Sequence, residues 1–329
     1  MPRETREERQ ERKRAEAKGI EEFHEHLGIP SPLTRSRQAV FHFDRTDQID
    51  ALVAARDAEA ELGFMTRMLL LCVLPKTNPG LARREYVRAN GPYRLVMQAG
   101  PEIGLPFGTV PRLLLAWLCT EVVRTKSRLV QLGHSLSEFM AAVGIAGNSG
   151  GETGSRTRTR NQMDRLFNAR VSLRYRVGNE GEITINSQIA DAMELWWSDR
   201  RPGEPVLWGS RIWVGEALFE EILRFPVPLE LQTLRAMGRS PLGLDLYMWL
   251  TYRLFTLNRP VKLQWWLLYR QFGAHPDRTD KKTVDNFRAK VLRELRKLKA
   301  AWPELRYDTP RGCLELHPTT TKISPAGTN

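Results

Sequence analysis

One order of elements is written twice in this chain, and it leaves few folds open. TVPRLLLAWLCTEVVRTKSR (109–128) is apolar around most of its circumference and has Pro111 near its start, as a buried core helix does. SLSEFMAAVGI (135–145) follows, with Ser135 and Glu138 at capping-box spacing and Gly144 as its stop. After the glycine-rich loop AGNSGGETGS (146–155), Met163, Leu166 and Phe167 fall at i, i+3 and i+4 on a third helix, whose start Thr159 and Gln162 mark by the same spacing. ARVSLRYRV (169–177), the turn GNEG (178–181) and EITIN (182–186) then read as a hairpin. Helix, helix, helix, hairpin is the order of a winged helix.

Roughly 130 residues on, the order returns. GLDLYMWLTYRLF (243–255) is a second thickly apolar helix, VKL (261–263) a short strand, and QWWLLYRQFG (264–273) a short helix. KKTVDNFRAKVLRELRKLKAAW (281–302) is a long amphipathic helix, and LRYDT (305–309), PRG and CLELH (313–317) close a second hairpin. Trp117-Leu118 and Trp249-Leu250 take corresponding places, each 12 residues before an apolar strand residue (Leu129, Val261). The expectation is an α+β, helix-rich chain with two tandem winged-helix domains. Ahead of them, 1–46 reads as a charged arm, partly disordered or helical, because its signs alternate densely and apolar residues are few. The first domain spans 47–202, adding an alanine-rich helix (47–63) and strand-like runs at 64–75 and 84–100, the latter turning at Asn90-Gly91. The second spans 203–329, with 318–329 as a disordered tail.

Charge then points to a partner. The chain carries 50 Lys+Arg against 38 Asp+Glu, a net +12, concentrated after residue 108. Such a surplus favours nucleic acid or an acidic membrane surface. Arg156, Arg158 and Arg160 stand at the start of the first third helix, where exposed cations are disfavoured by roughly 0.3–1 kcal/mol each. A bound polyanion would reverse that sign, since helix N-termini and arginines both favour phosphate. Arg158, Asn161, Gln162 and Arg165 share a face opposite the apolar stripe, and Arg can pair with guanine, Asn or Gln with adenine. On the second third helix, Lys281, Lys282, Arg288, Lys290, Arg293, Arg296, Lys297 and Lys299 far outnumber Asp285 and Glu294, and Asn286, Lys290, Arg293 and Lys297 share one face. Arg174 and Arg176 on the first hairpin and Arg311 at the tip of the second are placed to reach a phosphate or the minor groove. The duplex-facing set is thus Arg156, Arg158, Arg160, Asn161, Gln162, Arg165, Arg174, Arg176, Lys281, Lys282, Asn286, Arg288, Lys290, Arg293, Lys297 and Arg311. Loss of Arg158 and Arg165 is expected to weaken binding, and loss of Lys290 and Arg293 to change sequence choice as well.

Catalytic patterns are not found. GNSGGETGS has glycines without GK[ST], and His24-Glu25-His26 has neither a strand nor an acidic metal cluster beside it. Cys72, Cys119 and Cys313 are odd in number and far apart, which argues against a disulfide framework or a zinc ribbon. No enzyme, metal or cofactor is expected. MLLLCVL (68–74) is too short to span a bilayer and the N-terminus is charged, so a cytoplasmic protein without membrane contact is expected.

GLPFGTVPRLLLAWLCTEVVRTKSRLVQLGHSLSEFM (104–140), with NQMDRLF (161–167) after it, resembles the RepA family of plasmid replication initiators, and LPK (74–76) and EYVRANGPYRLVMQAG (85–100) resemble it too. The resemblance covers 64–317 and implies a bacterial protein that binds repeated sequences at a plasmid origin. It implies that the protein helps open the duplex, recruits the host initiator and replicative helicase, exchanges between monomer and dimer, and represses its own gene. A transcriptional repressor with the same modules and a rolling-circle nickase are the alternative readings.

Overall fold

A computed structural model describes residues 62–319 except 67–68, 71–72, 91–92, 146, 148, 178–180, 197–208, 256 and 275–279, and it leaves out the side chains of 175–183 and 255. The expected arm, residues 47–61 of the helix expected over 47–63, His24-Glu25-His26 and most of the tail lie outside the described residues, and Leu62 and Gly63, expected to end that helix, are in a strand instead. The chain is a mixed α/β molecule with antiparallel sheets.

Helix α1 (Val110–Thr125) has Pro at N1/N2 and buries Leu113, Leu114, Leu115, Leu118, Cys119, Val122 and Val123. Its lack of a polar stripe is what makes it central. Strand β1 (Leu62–Thr66) lies against it, and the Phe64 amide donates to Thr120 Oγ1 at 2.8 Å. The strand expected over 64–75 therefore ends at Thr66, and 73–75 is irregular. Strands β2 (Glu85–Asn90) and β3 (Tyr93–Gln98) pair as expected. They continue through β5 (Arg170–Val177) to β6 (Gly181–Gln188) in a four-stranded sheet ordered β2-β3-β5-β6. Period-two alternation sends Tyr93, Leu95, Met97, Val171 and Leu173 into the core, while Arg94, Arg170 and Arg174 stay outside. Between α1 and this sheet come β4 (Leu129–Gly133), α2 (Leu136–Val143) and α3 (Ser155–Phe167). Ser135 Oγ accepts from the Glu138 amide at 3.2 Å, and Gly144 ends α2 with φ +80°.

The expected boundary at 202/203 meets a different pairing. Strand β8 (Ser210–Val214) lies between β4 and β7 (Ala190–Glu194), and β9 (Pro226–Glu230) pairs with β1. Between these two strands, α4 (Glu216–Arg224) buries Leu218 and Ile222. Two strands from beyond residue 203 therefore complete sheets begun before it. After α5 (Leu231–Met237) the expected second series appears: α6 (Pro241–Phe255), β10 (Val261–Gln264), α7 (Trp265–Phe272), α8 (Lys281–Ala301), β11 (Tyr307–Asp308) and β12 (Cys313–Leu316). Its sheet is ordered β10-β12-β11. Among the described residues, no helix is long and apolar enough to cross a membrane.

Candidate nucleic-acid interface

Helix α3 begins at Ser155, with Gly154 rather than Thr159 in the capping position. Thr159 is instead inside the helix, fully buried, with its hydroxyl donating to the Ser155 carbonyl at 2.8 Å. The glycine-rich loop is what caps the helix. Ser149 Oγ accepts from the Ser155 amide at 3.0 Å and the Ser149 carbonyl from the Arg156 amide at 3.2 Å. Thr157 Oγ1 donates to the Gly151 carbonyl at 2.6 Å. Gly154 is obligatory here, because a Cβ would lie 2.3 Å from the Gly150 carbonyl oxygen. The Gly154, Ser155 and Arg156 amides, which a phosphate at the helix start would need, are thus already bonded by the protein's own loop. The arginines remain as side-chain donors only.

The α3 set divides in two. Arg158 and Asn161 are exposed, and Arg156 and Arg160 are half-exposed. Asn161 Oδ1 accepts from Arg165 Nε at 2.6 Å. Asp164 sits beside Arg160; burial raises its carboxyl above the ordinary value and Arg160 draws it part of the way back. Gln162 does not face a duplex: it is buried, and its Oε1 accepts from the Phe107 amide at 2.8 Å. Arg165 Nη1 donates to the Leu105 carbonyl at 3.1 Å and the guanidinium stacks 5.3 Å from the centre of the Phe107 ring. Both clamp the 104–108 loop to α3. Gln162→Ala is therefore expected to cost about 1–3 kcal/mol of stability, as an amide loses its acceptor. Arg158→Ala should leave stability within about 0.5 kcal/mol and lower DNA affinity. Urea unfolding and a binding isotherm on the two proteins separate the effects.

Helix α8 keeps its face open. Asp280 caps it by accepting from the Thr283 amide at 3.0 Å, and its first turn carries Lys281 and Lys282 with no acidic residue. Lys281, Lys282, Asn286, Lys290, Arg293 and Lys297 are all exposed, while Phe287, Val291, Leu295 and Leu298 are buried. Glu294 is buried and draws both Lys297, at 3.2 Å, and Arg293, at 3.9 Å, toward itself. Arg288 is the exception: half-buried, it lies 5.6 Å from the centre of the Trp265 ring. Exposed Arg311 stands in the hairpin tip before Gly312, whose φ is +84°. Exposed Arg174 lies across from Arg94 on the outer sheet face, and Arg176 continues that strand, with its side chain outside the described residues.

Sequence reasoning gave no role to Lys76, Arg88, Arg112 or Asp245. Arg112 and Arg88 are each 2% exposed, and Asp245 is 5% exposed. The signal was present: Arg112 falls in the first turn of a helix that is apolar around most of its circumference, and a charge buried there must have a partner. Arg112 donates Nε to Asp245 Oδ1 at 2.7 Å and Nη2 to Oδ2 at 2.9 Å, a bidentate pair between α1 and α6. Its other donors reach the carbonyls of Leu74 at 2.7 Å, Pro75 at 3.2 Å and Gly108 at 2.5 Å. Arg88 on β2 donates to the carbonyls of Arg270 at 3.2 Å and Gly273 at 3.0 Å, and to Tyr86 Oη. The Lys76 ammonium donates to the Phe272 carbonyl.

Lys76 as a residue keeps some exposure, but its ammonium is enclosed. Burial lowers it from 10.5 to about 7, with Asp245 opposing and Arg112, Arg88 and Lys290 adding to the shift. The unfolded chain binds this proton up to its ordinary value and the folded chain only below about 7. Lys76 thus adds nothing to instability above that ordinary value, and its cost grows as pH falls toward 7. Lys76→Met should flatten the rise in urea midpoint between pH 7 and pH 9.5 relative to the parent protein.

Residues 105–266 match the family model described as "Plasmid encoded RepA protein". No individually curated protein matches the chain. Among solved structures, one titled "Crystal structure of SeMet derivatives of domain2 and domain 3 of RctB" is similar with a TM-score of 0.49 at 13% identity, over 79% of this chain and 97% of that one. A second, of RctB domains 2-3, gives a TM-score of 0.45 at 14% identity, over 74% and 92% of the two chains.

Proposed function

Because the chain belongs, across residues 105–266, to the family of plasmid-encoded RepA proteins, we propose that it is a plasmid replication initiator that binds repeated duplex DNA at the plasmid origin. The observation that carries the DNA reading is the outward face of α8. Lys281, Lys282, Asn286, Lys290, Arg293 and Lys297 are all exposed on one helix whose opposite side is core. Lys and Arg rows of this kind neutralise phosphates and release counterions.

In this proposal α3 and α8 are the recognition helices of two winged-helix units. The β5–β6 and β11–β12 hairpins are their wings, bringing Arg174, Arg176 and Arg311 to the backbone. Arg156, Arg158, Arg160 and Asn161 are the α3 contacts. Gln162 and Arg165 hold the loop behind them and leave the contact set, and Arg288 supports α8 from its flank. The protein works by binding and assembly: it strains the duplex, is joined there by host initiator and replicative helicase, pairs with a second copy of itself, and represses its own gene. Its setting is the bacterial cytoplasm, and it carries no catalytic group of its own.

Nuclease footprinting across the DNA flanking its own gene, at two salt concentrations, tests this. Several evenly phased protected sites, lost together as salt rises, are expected. A single palindromic site over a promoter would favour a repressor. Absence of protection at low salt would remove the DNA reading, and nicking of supercoiled plasmid with magnesium or manganese would reveal an enzyme.

A further inference from the structure

The buried charges between β2, α1, α6 and α7 are more than a core repair. Leu74, Pro75, Lys76, Arg88 and Arg112 precede the two returning strands in sequence, whereas Asp245, Arg270, Phe272 and Gly273 follow them. Every hydrogen bond described between these groups crosses the seam or braces one that does. Arg112 has five N–H donors, and five acceptors surround it: two on Asp245 and one each on Leu74, Pro75 and Gly108. A planar guanidinium held at all its donors has no rotamer left to explore. Arg88 and Lys76 engage the last carbonyls of α7, where a helix leaves carbonyls unbonded and its dipole favours cations.

Each side of this cluster leads directly to one DNA-facing helix. From Arg112 the path runs through the Gly108 carbonyl to Phe107, whose amide is held by Gln162 of α3. Arg165 of α3 fixes the same loop at Leu105. On the other side, Tyr269 of α7 meets Phe287 of α8 edge-on, with ring centroids 5.3 Å apart. Phe272 of α7 meets Trp249 of α6 in the same way at 5.3 Å. The 104–108 loop on the first path is itself held at Leu105, Phe107 and Gly108.

We infer that this cluster is a rigid joint that sets the distance and angle between α3 and α8, so that Arg88, Arg112 and Asp245 are positioning residues deciding which spacing of two DNA elements the protein accepts. The inference rests on the DNA reading above, and it gives that reading a ruler. The two helices read a composite site as one unit, much as half-site spacing is a geometric property of linked DNA-binding modules.

Asp245→Asn keeps the shape and one acceptor for Arg112, and Arg88→Met removes the grip on α7 without touching a DNA-facing residue. Both variants, with folding confirmed by circular dichroism, are compared with the parent protein in two ways. On DNA, about 5 base pairs, half a helical turn, are inserted between the two protected elements of one site. The parent is expected to lose about 100-fold in affinity, and each variant less than about 10-fold (a tenfold change being about 1.4 kcal/mol), with an unchanged salt slope. An equal loss at every spacing would mark a merely weakened fold and overturn the inference. In the free proteins, hydrogen exchange is expected to quicken on both sides of the seam, in β2 and 104–108 as well as in α7 and α8. Quickening confined to the side that carries the substitution would overturn the joint. The exchange result decides the joint even if footprinting finds no DNA site, so the two readings fail separately.

Discussion

Asp245→Ala is expected to destabilise the protein by about 3–5 kcal/mol, the cost of removing one partner from a buried ion pair. Asp245 is the carboxylate that Arg112 pairs with, and it also counters Lys76. Without it the seam would hold two guanidiniums, Arg112 and Arg88, with no carboxylate, and Lys76 would be driven further toward its neutral form. A two-state domain often has only about 5–15 kcal/mol to lose, so much of the chain should be unfolded well below the parent's melting temperature. Thermal unfolding by circular dichroism checks this. A loss under about 1 kcal/mol would mean that water reaches the Arg112 guanidinium.

The second large effect concerns binding rather than folding. Lys290→Ala with Arg293→Ala should leave the unfolding midpoint almost unchanged, because both side chains are exposed on α8. The slope of log affinity against log salt should become shallower by about 2, one for each phosphate that is no longer neutralised. If either residue touches a base edge, discrimination at that position should relax by about 1–3 kcal/mol. Titrations at three salt concentrations on matched and mismatched sites separate the two. An unaltered slope would place α8 away from the phosphate backbone.

Local chemistry was legible in the sequence, and long-range pairing was not. Ser135, Glu138 and Gly144 announced α2 because caps act within a few residues. The same rule misplaced the start of α3. Thr159 and Gln162 have the spacing of a capping box, yet both are buried inside the helix, one bonded back to Ser155 and the other across to Phe107. A capping box read from spacing alone does not reveal that a glycine-rich loop upstream has already capped the helix. Alternation in 84–100 predicted β2 and β3, whereas the apolar run 64–75 had no period to show that its strand would stop at Thr66. The partners of β1 and β4 lie more than 75 residues away along the chain, at β9 and β8, and nothing local encodes that choice. Within the candidate interface, exposure on α8 followed from its 3.6-residue period. The loss of Gln162 and Arg165 to the 104–108 loop depended on a segment about 55 residues upstream.

The returning strands also govern how this chain can be divided. A fragment ended at residue 202 would leave β1 and β4 without their antiparallel neighbours, since β9 and β8 would be on the other piece. Each piece would then present bare strand edges, the surfaces along which proteins stack into aggregates. Mixing the two pieces should restore solubility by mutual strand donation, making residue 202 a site for a split protein whose halves report on each other's presence.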